Sequence, residues 1–180
     1  YFFALFQFIP PQLPCYNNRM NDNTSEIKSR VSALLCHRTV ENLVKHNFDA
    51  HYCESAAAAT AFLLNAAAHA KTIGFGGSRS LADLNLETSL AAAGAEILNH
   101  NKPDLPADVK NDFMHRQQTC DLFLSGVNAV TVNGEIVNID GVGNRVSASI
   151  YGPTKIMLVA GRNKIVNGDV GDAIKRVKDD

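Results

Sequence analysis

Residues 121–164 read DLFLSGVNAVTVNGEIVNIDGVGNRVSASIYGPTKIMLVAGRNK. Short apolar runs, glycine turns and polar residues placed just after the apolar runs alternate along this stretch. Strands that exit into glycine-rich loops bearing Asn, Asp, Arg and Lys are how α/β proteins build small-molecule sites. Residues 121–124 form the first strand, and Ser125, Gly126, Val127 and Asn128 its exit. Asn133-Gly134 divides two β-rich runs between Val130 and Ile139, a hairpin signal because both residue types tolerate positive φ. The hairpin delivers Asp140, Gly141, Val142, Gly143, Asn144 and Arg145. Two glycines within Asp-x-x-x-Asn-Arg suggest backbone brought close to a ligand or to another loop. A helix begins near Arg145. Residues 155–160 are apolar and β-branched, which suits a central strand. They exit into Gly161, Arg162, Asn163 and Lys164, and residues 169–178 read as a closing helix.

Upstream, the same alternation continues. From Asn23 apolar residues recur at helical spacing through Val31, Leu34, Leu35, Leu43 and Val44, behind Thr24 or Ser25 as caps. Residues 48–53 are a short strand. Residues 54–70 are rich in Ala and Leu, the strongest helix formers. Residues 71–75, KTIGF, are a strand that runs into Gly76, Gly77, Ser78, Arg79 and Ser80. A helix over 81–93 follows, ended by Gly94 as a C′ glycine. A strand, a glycine turn and a helix start in a row present free N–H groups and a positive dipole end to an anion. Arg79 would add a bidentate donor. The loop lacks the GK[ST] ending of a Walker motif. Residues 95–98 form a strand, 101–106 a loop, and 107–119 a helix carrying His115 and Arg116. A lone His on such a helix reads as a surface residue unless a carboxylate and a pocket accompany it.

The first 18 residues, YFFALFQFIPPQLPCYNN, stand apart. They are aromatic and proline-rich, with no helical or strand period surviving the prolines. They lack a basic n-region and are too short and broken to span a membrane. Met20 resembles a natural start, so residues 1–19 read as a leader ahead of a domain at 20–180. The other reading is a hydrophobic arm packed on a partner subunit.

With 180 residues and a formal net charge of −1, the chain is one domain with at most a small appendage. It can bury a core without disulfides or metals. The charge balance speaks against nucleic acid. Cys15, Cys36, Cys53 and Cys120 form no CxxC pair and lie near no His at zinc-finger spacing. Scattered thiols suit a reducing cytoplasm.

Strands alternating with helices imply an α/β layered fold. Its sheet is largely parallel with an antiparallel hairpin, and helices cover both faces. In such a sheet the strand C-termini share one edge, so GGSRS, SGVNA with IDGVGNR, and GRNK converge. Arg79, Arg145, Arg162 and Lys164, with Asn128, Asn144 and Asn163, face one acid, Asp140. That balance fits a small anionic ligand held by charge-assisted hydrogen bonds. No nucleophile–base pair is evident. Asp140 is the candidate acid, base or nucleophile; its alternative role is orienting Arg145 or capping the helix that follows.

GFGGSRSL at 74–81, SGVNAVTVNGEIVNIDGVGNRV at 125–146, Gly152-Pro153 and VAGRNKIV at 159–166 together resemble the LUD domain, the family of lactate utilization protein C. The resemblance covers about Thr24 to Lys178. It implies the fold shared by sugar-phosphate isomerases, CoA-transferases and formyltetrahydrofolate cyclo-ligases. It also implies a bacterial role in oxidising L-lactate to pyruvate beside iron–sulfur subunits, and the absence of a redox cofactor motif in the residues makes that role a non-redox one. Some longer members carry a cysteine-rich tail of TGxCxxC type, which does not occur up to Asp180, so no cofactor is expected. CoA-transferase relatives use a glutamate nucleophile, but nothing local marks Glu135 as that residue. Three functions follow: an anion-binding component of lactate utilization, an isomerase or CoA-transferase-type enzyme using Asp140, or a structural subunit docking iron–sulfur proteins. A homo-oligomer is compatible with each.

Overall fold

A computed structural model describes residues 2–7 and 22–179. Six strands form the main sheet: β1 (Phe2–Gln7), β2 (Asp49–Cys53), β3 (Thr72–Phe75), β4 (Glu96–Leu98), β5 (Leu122–Gly126) and β8 (Lys155–Gly161). Their order is β2-β1-β8-β5-β3-β4, and every pairing is parallel. A second sheet of three short strands has the order β7-β6-β9, from β6 (Ala129–Thr131), β7 (Ile136–Val137) and β9 (Ile165–Val166). The helices are α1 (Asp22–Lys45), α2 (Ala56–Ala66), α3 (Arg79–Ala82), α4 (Leu86–Ala92), α5 (Ala107–Arg116), α6 (Asn144–Ile150) and α7 (Val170–Asp179). The expected α/β architecture is therefore present, with the antiparallel hairpin set apart in its own sheet.

The sheet is apolar on both faces, as a parallel sheet between helices must be. Side chains alternate along a strand, and the sequence uses that alternation. Leu122 and Leu124 of β5 and Met157 and Val159 of β8 join Leu63 of α2, Leu81 of α3 and Leu90 of α4 in one buried cluster. Phe123, Ile156 and Leu158 point the other way and meet Leu43 of α1 and Ala148 of α6. Small Ala59 of α2 is fully buried, consistent with close helix–sheet approach.

Helix ends are set by local chemistry. Ser55 caps α2 by accepting from Ala58 N at 3.1 Å. Gly94, at φ +94°, ends α4 while Ala95 N donates back to Leu90 O at 3.2 Å, the expected C′ glycine in Schellman form. Asn47, at φ +65°, does the same for α1, with Phe48 N donating to Leu43 O at 3.0 Å.

Three expectations change. The helix expected over 81–93 is two helices, because Asn85 between them takes the left-handed region at φ 48°, which Asn tolerates better than most residues. In the hairpin only Gly134 has positive φ, +92°, and its N–H donates to Thr131 O at 3.0 Å. The turn thus uses one left-handed residue, not an Asn-Gly pair. A Cβ on Gly134 would also lie 3.0 Å from Asn42 C and Leu43 N of α1. Finally, no element was expected in the first 18 residues, yet Phe2–Gln7 is a strand between β2 and β8. The prolines begin at Pro10 and so do not interrupt it. Residue 1 and residues 8–21, including Cys15 and Met20, lie outside the described residues.

Candidate functional site

Parallel pairing brings the exits of β3, β5 and β8 to one edge. The contact there is close enough that glycines are needed. A Cβ on Gly76 would come within 2.5 Å of Ser125 Oγ, one on Gly126 would overlap Ser78 Oγ, and one on Gly161 would lie 2.6 Å from Asn163 Oδ1. The convergence expected from sequence is close for Gly76, Ser78 and Gly126 of the β3 and β5 exits, whereas Gly161 of the β8 exit meets the GGSRS loop only at Ser80 Oγ, 3.8 Å from its Cβ direction. The convergence does not extend to one shared pocket; the edge is divided into separate hollows.

The first hollow is a cavity of about 450 Å³ under the GGS loop. Its polar lining is Ser78, Asn85, Glu87, Thr88, Asn99 and Asn101, and Phe75, Leu81 and Leu86 supply apolar wall. Gly77 lines it with its Cβ direction 3.5 Å from Asn101 Oδ1. Ser78 spends its hydroxyl capping α3 by accepting from Leu81 N at 3.3 Å. Because α3 has only four residues, it has little aligned dipole to offer an anion, which removes much of the argument for an anion at GGSRS. Arg79 is exposed and outside this lining. Among the described residues the cavity's one ionisable lining residue is Glu87. Its carboxylate accepts from Asn99 Nδ2 at 2.5 Å and pairs with Lys102 Nζ at 3.3 Å.

The second centre is built on Arg145, which donates from Nε to Asp140 Oδ1 at 2.7 Å and from Nη2 to Asn128 Oδ1 at 2.6 Å and Ile139 O at 2.8 Å. The other Asp140 oxygen accepts from Val146 N at 2.7 Å, in the first turn of α6. Asn128 Oδ1 also accepts from Ile139 N at 3.0 Å, and Asn128 N donates to Asn138 Oδ1 at 3.1 Å. Both charged side chains are mostly buried, 13% exposed for Arg145 and 9% for Asp140. Asp140 thus orients Arg145 and caps α6, both parts of its alternative role. The network locks the IDGVGNR loop to the exit of β5. Gly143 starts α6 at φ +90°, whereas Gly141 has neither positive φ nor a neighbour within 4 Å of its Cβ direction.

Gly143 and Asn144 face a third hollow of about 540 Å³, shared with Met114, His115 and Gln118 of the α5 region. Asn144 O accepts from Gln118 Nε2 at 2.9 Å, and Asn144 Nδ2 is buried without a partner among the described residues. His115 is exposed, its Nδ1 2.8 Å from Asn111 O, as its sequence context suggested.

The fourth hollow, of about 180 Å³, is lined by Ser32 and Leu35 of α1 with Arg162, Asn163 and Ile165. Arg162 Nη1 donates to Ser32 Oγ at 2.8 Å. Its charge also reaches Cys36 and Tyr52. Burial pushes the Cys36 thiol up, and Arg162 pulls it back only in part. Lys164 is half-buried at the end of the short 3-10 turn Arg162–Lys164.

Sequence reasoning passed over His100 and Gln117. Gln117 is fully buried beneath the β3–β4 exits. Its Nε2 bonds Phe75 O at 3.0 Å and Leu98 O at 2.7 Å and lies 3.0 Å from His100 Nδ1. An amide NH₂ cannot accept, so His100 Nδ1 carries no proton. Burial pushes the imidazole below its usual range. His100 is thus neutral at neutral pH. The one sequence signal was the amide-rich run NHN at 99–101, between a strand and a proline. Among the described residues no group of three His, Cys, Asp or Glu could hold a metal. No helix of the described residues is long and apolar enough to cross a membrane.

A parallel sheet between helices, with small hollows along the strand exits, places the chain in the α/β class. Within that class, the sequence model of the LUD domain matches residues 36–179, and the chain belongs to the LUD domain family, which is related to lactate utilization. No curated protein and no solved structure matches the chain.

Proposed function

We propose that this chain is a non-redox component of L-lactate utilization that binds a small carboxylate in the hollow between β8 and α1. The observation that carries this reading is Arg162. It sits at the exit of β8 in a hollow of about 180 Å³ with Ser32 and Asn163, and the family is lactate-related. A guanidinium beside a hydroxyl and an amide suits a 2-hydroxy or 2-oxo acid, since Arg binds carboxylates bidentately. The hollow is matched to a three-carbon acid better than to a CoA-linked substrate. Asp140, held by Arg145 and the α6 backbone, offers little support for an acid–base or covalent role. Calorimetric titration of L-lactate and pyruvate is the test, with Arg162→Gln as control. Loss of an Arg–carboxylate hydrogen-bonded pair should weaken binding by ~10- to 100-fold. Absence of binding by the unmodified chain to both acids would refute the reading.

A second reading is favoured by α1, where Ile27, Val31 and Leu34 recur on one face and are 50–69% exposed. Such a stripe suits docking to a partner such as an iron–sulfur subunit or a second copy. Ultracentrifugation of the chain and of Leu34→Glu separates these: self-association abolished by the substitution supports the second copy, and a monomer in both leaves the heteromeric partner.

A further inference from the structure

The cavity beneath the GGS loop has a chemistry different from that of the Arg162 hollow. Its walls divide into an apolar side, Phe75, Leu81 and Leu86, and a polar rim of amides and hydroxyls. The rim is already ordered. Lys102 holds Glu87, Glu87 accepts from Asn99, and Asn99 Oδ1 accepts from both N and Nδ2 of Asn101, at 2.9 and 3.3 Å. Preorganised hydrogen-bonding groups lose less freedom when a ligand arrives. Across the cavity, Asn85 occupies its left-handed position with no side-chain capping bond, and its carboxamide makes no hydrogen bond among the described residues. Among the described residues no cation lines the space, and Glu87 is already neutralised by Lys102. An anion entering here would surrender hydration without a charge partner. A ligand carrying several hydroxyls would instead find carboxamides that both donate and accept, plus an apolar wall for its C–H face.

We infer that this cavity is a second binding site, for a neutral polyhydroxylated ring such as a sugar or the ribose of a nucleoside. Its volume of about 450 Å³ accommodates one such ring with room for a substituent. The site is independent of carboxylate binding at Arg162, from which it differs in elements as well as charge.

Saturation-transfer NMR on the full chain tests this, with methyl riboside, glucose and myo-inositol as neutral probes. Ribose 5-phosphate and glucose 6-phosphate serve as charged counterparts. The expected result is millimolar or tighter binding of at least one neutral probe, no gain from the phosphate, and no dependence on salt. Ala82 is an exposed residue of the cavity mouth, so Ala82→Trp should fold normally and abolish the signal. Asn85→Gly keeps a residue at ease with positive φ and removes only the amide; it should weaken binding by ~5-fold, as for one lost hydrogen bond. Binding of lactate at the Arg162 hollow should be untouched by either change. The inference is overturned if no neutral probe binds, if only the phosphates bind and do so in a salt-sensitive way, or if a folded Ala82→Trp variant binds as before.

Discussion

Removing the carboxylate of Asp140 should destabilise the fold. Asp140 gives one oxygen to Arg145 and the other to Val146 N, each at 2.7 Å. In Asp140→Ala the Arg145 guanidinium, 13% exposed, keeps Asn128 Oδ1 and Ile139 O but loses its counter-charge. Breaking a fully buried pair costs ~3–5 kcal/mol; the two remaining acceptors and the residual exposure reduce that to about 2 kcal/mol here. The lost cap of α6 adds ~1 kcal/mol. The expected total is about 3 kcal/mol, a Tm lower by ~6–12 °C for a domain of this size. Urea unfolding followed by circular dichroism measures it. A cycle of Asp140→Ala with Arg145→Met should return a coupling of ~1–2 kcal/mol. A residue kept for chemistry behaves oppositely, since its removal is often neutral or stabilising. Asp140→Ala within about 0.5 kcal/mol of the parent, the surface-substitution range, would refute the structural role and restore Asp140 as a candidate catalyst.

Gly134→Ala places a Cβ at φ +92° and 3.0 Å from Asn42 C and Leu43 N; the left-handed strain of ~1–2 kcal/mol plus the contact should appear as ~2–3 kcal/mol in the same unfolding assay. The thiols should be inert in the fold: burial pushes Cys120 up to about 11 and raises Cys36 and Cys53. In a Cys15→Ser background, a chromogenic disulfide reagent at mildly alkaline pH should label none of them until denaturant is added. For Cys120 the folded state keeps a proton that the unfolded chain releases near 9.0. Its contribution is whole below that pH and is lost as pH rises towards 11, so Cys120→Ala should flatten the alkaline limb of stability against pH. Asp121 behaves in the opposite sense: N–H groups of Thr72 and then Lys71, both at 2.9 Å from Oδ2, hold its carboxyl below the usual range. That contribution is present above the ordinary carboxylate pKa and fades as pH falls through the lowered one. Asp121→Asn should therefore be less stable than the parent at neutral pH and converge with it in acid.

The strands were legible because their period is short and local. Leu122 to Leu124 and Ile156 to Val159 alternate between two apolar faces, and an apolar run of that kind suits few other elements. Gly94 and Gly134 were legible for the same reason, since each marks a backbone conformation that few residues adopt. Asn85 was not: it lies in a leucine-rich run whose spacing matches an unbroken helix, and Asn is compatible with both outcomes. The site was harder still. In the sequence the cations at the strand exits read as ligand donors, but Arg145 is occupied by Asp140, Asn128 and Ile139, and composition does not reveal which partner a charge takes. Gln117 and His100 carry no motif; their importance comes from burial beneath two strand ends 23 residues apart, from Phe75 to Leu98.

The interlock of Ser78 with Gly126 has a consequence for how this edge can vary. The hydroxyl from one strand exit occupies the space a side chain on the next would need, and Gly76 and Ser125 repeat the arrangement in reverse. Neither member of a pair is free to drift alone. Gly126→Ala should be tolerated only beside Ser78→Gly, a change that costs the cap of α3 a few tenths of a kcal/mol. Among divergent relatives these positions should therefore covary as small–small partners, 48 residues apart in the chain. The pairing offers a way to recognise the same edge in sequences whose loops have otherwise lost their resemblance.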